Sequence, residues 1–142
     1  MPEYLKTGLN LLPISSEWAS DEKCVLLRRF WDDWDHSDVH QAIDATLAML
    51  NQVSHTVDVI GDFSSPQKAD PTRLISAIRR YEKEMPGNLG YVVLVKTDTF
   101  VQTLVKINKL NAPRIVSRIH LANTMSEAYA LLDKLHRQDS RV

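Results

Sequence analysis

Gly90-Tyr91-Val92-Val93-Leu94-Val95 is the most apolar stretch of the chain, and the rest of the sequence is read outward from it. A run without polar alternation is the mark of a strand buried on both faces, as in the middle of a parallel sheet. Downstream, Thr97 or Asp98 caps a helix with Phe100, Leu104, Ile107 and Leu110 inside, and Asn111-Ala112-Pro113 ends it. Upstream, Asp70-Pro71 opens a helix. Asp accepts from free backbone N–H groups there, and Pro at the first helical position loses nothing. Leu74, Ile78, Tyr81 and Met85 form the buried stripe of that helix, and Pro86-Gly87-Asn88 stops it.

Further upstream, Thr56 to Gly61 is a short β-rich run. Before it, Asp35 or Ser37 caps a helix whose Val39, Ile43, Leu47 and Leu50 recur at helical spacing, with Ala42 and Ala45 beside them. Leu9 to Trp18 and Cys24 to Phe30 read as two strands joined by the polar turn 19–23, a hairpin. Past Pro113, residues 114–117 fit either a helical turn or the start of a strand, and Arg118 to Leu121 is a short strand. Thr124-Met125-Ser126-Glu127 has capping-box spacing and opens a last helix with Met125, Ala128, Leu131, Leu132 and Leu135. The expected order is ββαβαβαβα, a mixed, mostly parallel sheet flanked by helices with the hairpin as an antiparallel edge.

Composition agrees with a single α/β domain over residues 1–142, its core about 11–135. The chain has 142 residues, 44% hydrophobic and 25% charged, enough to bury a core. Its net charge of −1 argues against a dedicated nucleic-acid binder. Charge is uneven: residues 1–44 carry four Lys/Arg and nine Asp/Glu, a net of −5, and residues 45–142 a net of +4. Such a dipole, with an open hairpin edge, leads us to expect self-association as a homodimer. One cysteine, Cys24, excludes an internal disulfide, and its place in a strand suggests a buried structural thiol. No run approaches the roughly 18 apolar residues of a membrane span, so no stable membrane insertion is expected. Met1-Pro2-Glu3-Tyr4-Leu5-Lys6 lacks the layout of a signal peptide, so a cytoplasmic location is expected.

The segments Phe30-Trp31-Asp32-Asp33-Trp34, Val57 to Asp62 and Thr124-Met125-Ser126-Glu127-Ala128 resemble three pieces of one family. These are the bacterial STAS/CRAL-TRIO-like proteins, small α/β domains akin to anti-sigma-factor antagonists and, more loosely, to lipid-binding CRAL-TRIO domains. The pieces are a Trp-rich entry to the first helix, a strand ending in Asp, and a last helix beginning Thr-x-x-Glu-Ala. The resemblance implies a non-enzymatic, STAS-like regulatory module that binds a protein partner or itself. The CRAL-TRIO likeness implies the alternative, a lipid or small apolar ligand held between sheet and helices. In anti-sigma antagonists a strand-end Asp is followed eight residues later by an Asp that precedes a phosphorylatable Ser. Asp62 and Asp70 keep that spacing, but Pro71 stands at the acceptor position and has no hydroxyl. Thr72, one residue on, is the nearest alternative acceptor.

Two loops follow parallel strands: Asp62-Phe63-Ser64-Ser65 and Lys96-Thr97-Asp98-Thr99. Ligands of open α/β sheets bind beyond the strand carboxyl ends. Asp62, Ser64, Ser65, Asp70, Thr72, Lys96, Thr97 and Asp98 are therefore the candidate ligand- or partner-binding residues. The plainer role for several of them is to cap helices and turns. His36 and His40 share a helical face near Asp32, Asp33 and Asp35, but no HExxH and no Cys ligand accompany them, and no metal is expected. No Gly-x-Ser-x-Gly elbow, phosphate loop or dinucleotide fingerprint occurs, so neither a catalytic residue nor a cofactor is assigned. Arg79, Arg80 and Lys83 read as a solvated helix face, and Trp31 and Trp34 as packing anchors.

Overall fold

The computed structural model describes residues 13–140. Its elements are β1 (Ile14–Trp18), β2 (Val25–Phe30), α1 (His36–Asn51), β3 (Val57–Asp62), a 3-10 turn (Pro71–Arg73) running into α2 (Leu74–Glu84), β4 (Leu89–Val95), α3 (Thr99–Ile107), the single turn α4 (Pro113–Val116), β5 (Ile119–Ala122) and α5 (Met125–Asp139). Residues 9–12 of the expected first strand and the Phe100 side chain lie outside what is described.

The five strands stand in sequence order, β1-β2-β3-β4-β5. β1 is antiparallel to β2, with Ile14 opposite Phe30, and all later pairs are parallel. A right-handed crossover that always steps in one direction puts every connecting helix on the same face. The face carrying Val57 and Val59 accordingly packs with residues of α1, α2 and α4, in two clusters that include Leu26, Phe30, Trp34, Ile43, Ile78 and Ile115. Helix α5 packs on the opposite face, over Leu27, Ile60, Val93 and Val95, through Ala128 and Leu132.

Local chemistry sets the helix starts. Asp35 caps α1 in a reciprocal box with Asp38, Asp98 caps α3 and Thr124 caps α5. In the last case the return half of the box is displaced by one residue: the Glu127 carboxylate accepts from Asn123 N–H at 2.9 Å. Trp34 is 1% exposed, meets Phe30 edge-on and donates its indole N–H to Gln67, the anchoring role expected of it.

Three expectations are corrected. Ile107 and Leu110 are not inside; they are 64% and 92% exposed. The buried stripe of α3 runs through Val101, Leu104 and Asn108, one step out of phase with the expected one. Buried Asn108 caps the helix and donates to the Leu104 carbonyl, so Leu110 lies past its end. Cys24 is exposed, because β2 starts only at Val25. Arg80 is not a solvated residue: it bonds Asp44, Glu84 and the His40 carbonyl, tying α2 to α1.

On the α5 face a buried carboxylate fastens the last helix. Asp58, 6% exposed, accepts from Tyr91 N–H at 2.8 Å and bonds His136 Nε2 at 2.6 Å. Gly90 makes room for it, since a Cβ there would overlap the Asp58 carboxylate. Gly90→Ala should therefore destabilise the fold by at least about 2 kcal/mol, the usual cost of breaking a buried polar network. Denaturant titration with an unchanged midpoint would contradict this.

Candidate functional site at the strand carboxyl edge

Strands β2 to β5 all end at one edge of the sheet, and the loops that leave them gather there. The loop 63–70 is held to the loop 31–35 by backbone bonds. Asp32 N–H donates to the Pro66 carbonyl at 3.0 Å, and the Asp32 carbonyl accepts from Lys68 and Ala69 N–H at 2.8 and 3.1 Å. Asp32 adopts φ 53, a left-handed conformation that lets one residue serve both directions.

Gln67 is the clamp. Its amide donates to the Phe30 and Ser65 carbonyls at 2.8 and 2.7 Å while its oxygen accepts from Trp34 Nε1 at 2.9 Å. Arg73 adds a second tie, donating to the Trp34 carbonyl at 2.5 Å and pairing with Asp33 at 3.2 Å. The sequence reading missed Gln67, for a polar residue in a polar loop carries no periodic signal.

The expected residues divide into three groups. Asp62 ends β3 and accepts from both the backbone N–H and the hydroxyl of Ser64, with Ser65 half-buried beside them. Asp70 and Thr72 close the far end of the same loop, both exposed, with Asp70 accepting from Thr72 N–H at 3.0 Å. Lys96, Thr97 and Asp98 follow β4. Lys96 is exposed at φ 59, and Asp98 accepts from Val101 N–H at 2.9 Å. Phe63 N–H bonds the Val95 carbonyl at 3.0 Å, so the two loops leave neighbouring strands side by side. Among the described residues, however, no ion pair joins Lys96 to Asp62 or Asp70. Nor do three His, Cys, Asp or Glu side chains converge as a metal site among them. His40 faces the Arg80 guanidinium instead.

Two carboxylates at this edge, Asp70 and Asp35, are held below their ordinary value. The Thr72 backbone N–H is the main cause for Asp70, and the Asp38 backbone N–H for Asp35. The result is an exposed polar rim whose two loops are tied together by hydrogen bonds.

The fold has a solved counterpart. The structure is similar to the anti-sigma factor antagonist SpoIIAA in its unphosphorylated form, with a TM-score of 0.55 and 15% identity, over 85% of this chain and 96% of that one. The likeness shows a STAS-like fold. No family model matches the sequence, and no curated protein does.

Lowered carboxyl groups stabilise the fold above about pH 4, where an unfolded Asp is also ionised, and lose that contribution as pH falls through their folded values. The double variant Asp35→Asn, Asp70→Asn keeps the capping oxygens and removes the charges. It should be less stable than the parent at pH 7, with the gap narrowing as pH falls below the ordinary Asp value. Urea unfolding at stepped pH checks this; a gap independent of pH would refute it.

Proposed function

We propose that this chain, as one STAS-like domain over its whole length, is a non-enzymatic regulatory module. It docks a protein partner through the rim formed by Asp62, Ser64, Ser65, Asp70, Thr72, Lys96, Thr97 and Asp98. The observation that carries this reading is the Gln67 clamp. An exposed polar loop is held in place by part-buried bonds from Gln67 to Phe30 and Trp34, which lowers the ordering cost of docking. The SpoIIAA-like fold supports it. The cytoplasm is the proposed location; among the described residues no helix is long and apolar enough to cross a membrane.

Self-association belongs to the same proposal. Among the described residues β1 is a sheet edge with a single paired neighbour, and the acidic first third of the chain complements the basic remainder. A second reading, the CRAL-TRIO-like binding of a small apolar ligand, is favoured by one observation: an apolar cavity between the sheet and helices α1 to α4.

Photo-crosslinking residues placed at Ser64 and Thr72 should capture a defined protein, or a second copy of the chain, while the same residue at Arg137 should not. Equal capture from both places would sink the rim as the docking surface. Sedimentation at high micromolar concentration should show a dimer; monomer alone would remove self-association. Pro71 also leaves no acceptor where anti-sigma antagonists carry a serine. Protein from native cells should therefore carry no stoichiometric phosphate on Ser64, Ser65 or Thr72, as peptide mass spectrometry would reveal.

A further inference from the structure

Leu26, Arg28 and Phe30 alternate along β2 on the face covered by α1 and α2. The two apolar residues belong to the core, and so, by position, does the arginine, which is 7% exposed. Its Nη1 donates to the Tyr81 hydroxyl at 2.6 Å and its Nη2 to the Ala42 carbonyl at 2.9 Å. The Nε–H is buried with no acceptor. Among the described residues no carboxylate pairs with this guanidinium, although Arg29, Arg73, Arg80 and Arg137, all more exposed, each have one. Two neutral acceptors and the Tyr81 ring, its centroid 5.9 Å from the guanidinium carbon, compensate a buried cation only in part, and an orphaned N–H adds to the cost.

Arg28 is also part of the wall of the cavity, the one basic side chain among apolar neighbours such as Val59, Gly61, Leu94, Ala77 and Leu104. The cavity measures about 100 Å³. An engineered apolar cavity of ~150 Å³ admits benzene, so a compact hydrocarbon body of a few carbons is the right scale.

We propose that this cavity binds a small apolar monocarboxylate, whose carboxylate accepts from the Arg28 Nε–H and a neighbouring Nη–H while its hydrocarbon body fills the space between sheet and helices. A side-on bidentate pair would satisfy the orphan donor and neutralise the cation at once. The chemistry disfavours three other ligand types. A neutral hydrocarbon leaves Nε–H unpaired, an amine brings a second positive charge, and a dianion carries excess charge into an apolar wall. The inference rests on the second reading above, that the cavity takes a ligand, and is independent of the docking rim.

The test uses the full chain with isobutyrate, isobutane and isobutylamine as probes. Binding is followed by calorimetry and by the ¹⁵N-resolved Nε–H resonance of Arg28, assigned by its loss in Arg28→Met. Isobutyrate should bind saturably, at least about tenfold tighter than isobutane, as one charged hydrogen-bonded contact is worth, and should shift that resonance. Isobutylamine should not bind. Arg28→Met should keep isobutane and lose the preference for isobutyrate. If that variant does not fold, Ala77→Leu, which fills the cavity from the helix side and leaves Arg28 in place, should abolish isobutyrate binding. Isobutane binding without an isobutyrate preference overturns the carboxylate and leaves the apolar-ligand reading standing. Failure of both probes to bind overturns both. Isobutyrate binding that leaves the Arg28 Nε–H unmoved places it elsewhere and overturns the inference.

Discussion

The handedness of the crossover governs this molecule. Four parallel strands laid down in sequence order, each joined by a right-handed connection, force α1 to α4 onto one face. The other face is left to whatever follows β5. Helix α5 fills that role with a narrow apolar contact, Ala128 and Leu132, and the bond from buried Asp58 to His136 reinforces it. The layers are thus unequal. A thick helical layer meets one face, where several helices must fit together and a cavity remains, and a single helix meets the other.

The same constraint gathers the strand ends. Parallel strands send their carboxyl ends to one edge, so the loops best placed for recognition are brought together by topology before any side chain acts. Side chains then decide whether that edge is rigid. Gln67 joins the end of β2, the start of α1 and the 63–70 loop through three bonds. Asp32 and Lys96 sit in left-handed conformations unusual for non-glycine residues, where the chain turns sharply off the end of a strand.

Arg28 is the energetic exception within the core. A leucine or methionine at this inward position would spare the cost of a buried charge but would give up the bonds to Tyr81 and Ala42. Residues that break a local rule are where function is sought. Half-buried Arg80 of α2 and exposed Arg137 of α5 each pair with a carboxylate, whereas Arg28 has a phenol and a carbonyl.

By itself the sequence determined whatever depends on neighbours along the chain. The apolar run at β4 marked a strand buried on both faces. The Asp and Thr residues at 35, 70, 98 and 124 marked helix or turn starts, because a capping oxygen reaches backbone N–H groups only two or three residues away. The strand and helix order followed, and with it the parallel sheet. Tertiary structure decided what depends on partners far along the chain. The rotation of α3 that exposes Ile107 came from burying Val101, Leu104 and Asn108, a choice between two apolar stripes that periodicity cannot make. Arg80 found Asp44 and His40 across a helix pair. Gln67 and Arg28 were the least legible, although the alternation Leu26, Arg28, Phe30 held a clue to the second. A polar side chain is written identically in the sequence whether water or a distant carbonyl satisfies it, and only the packed chain chooses between them.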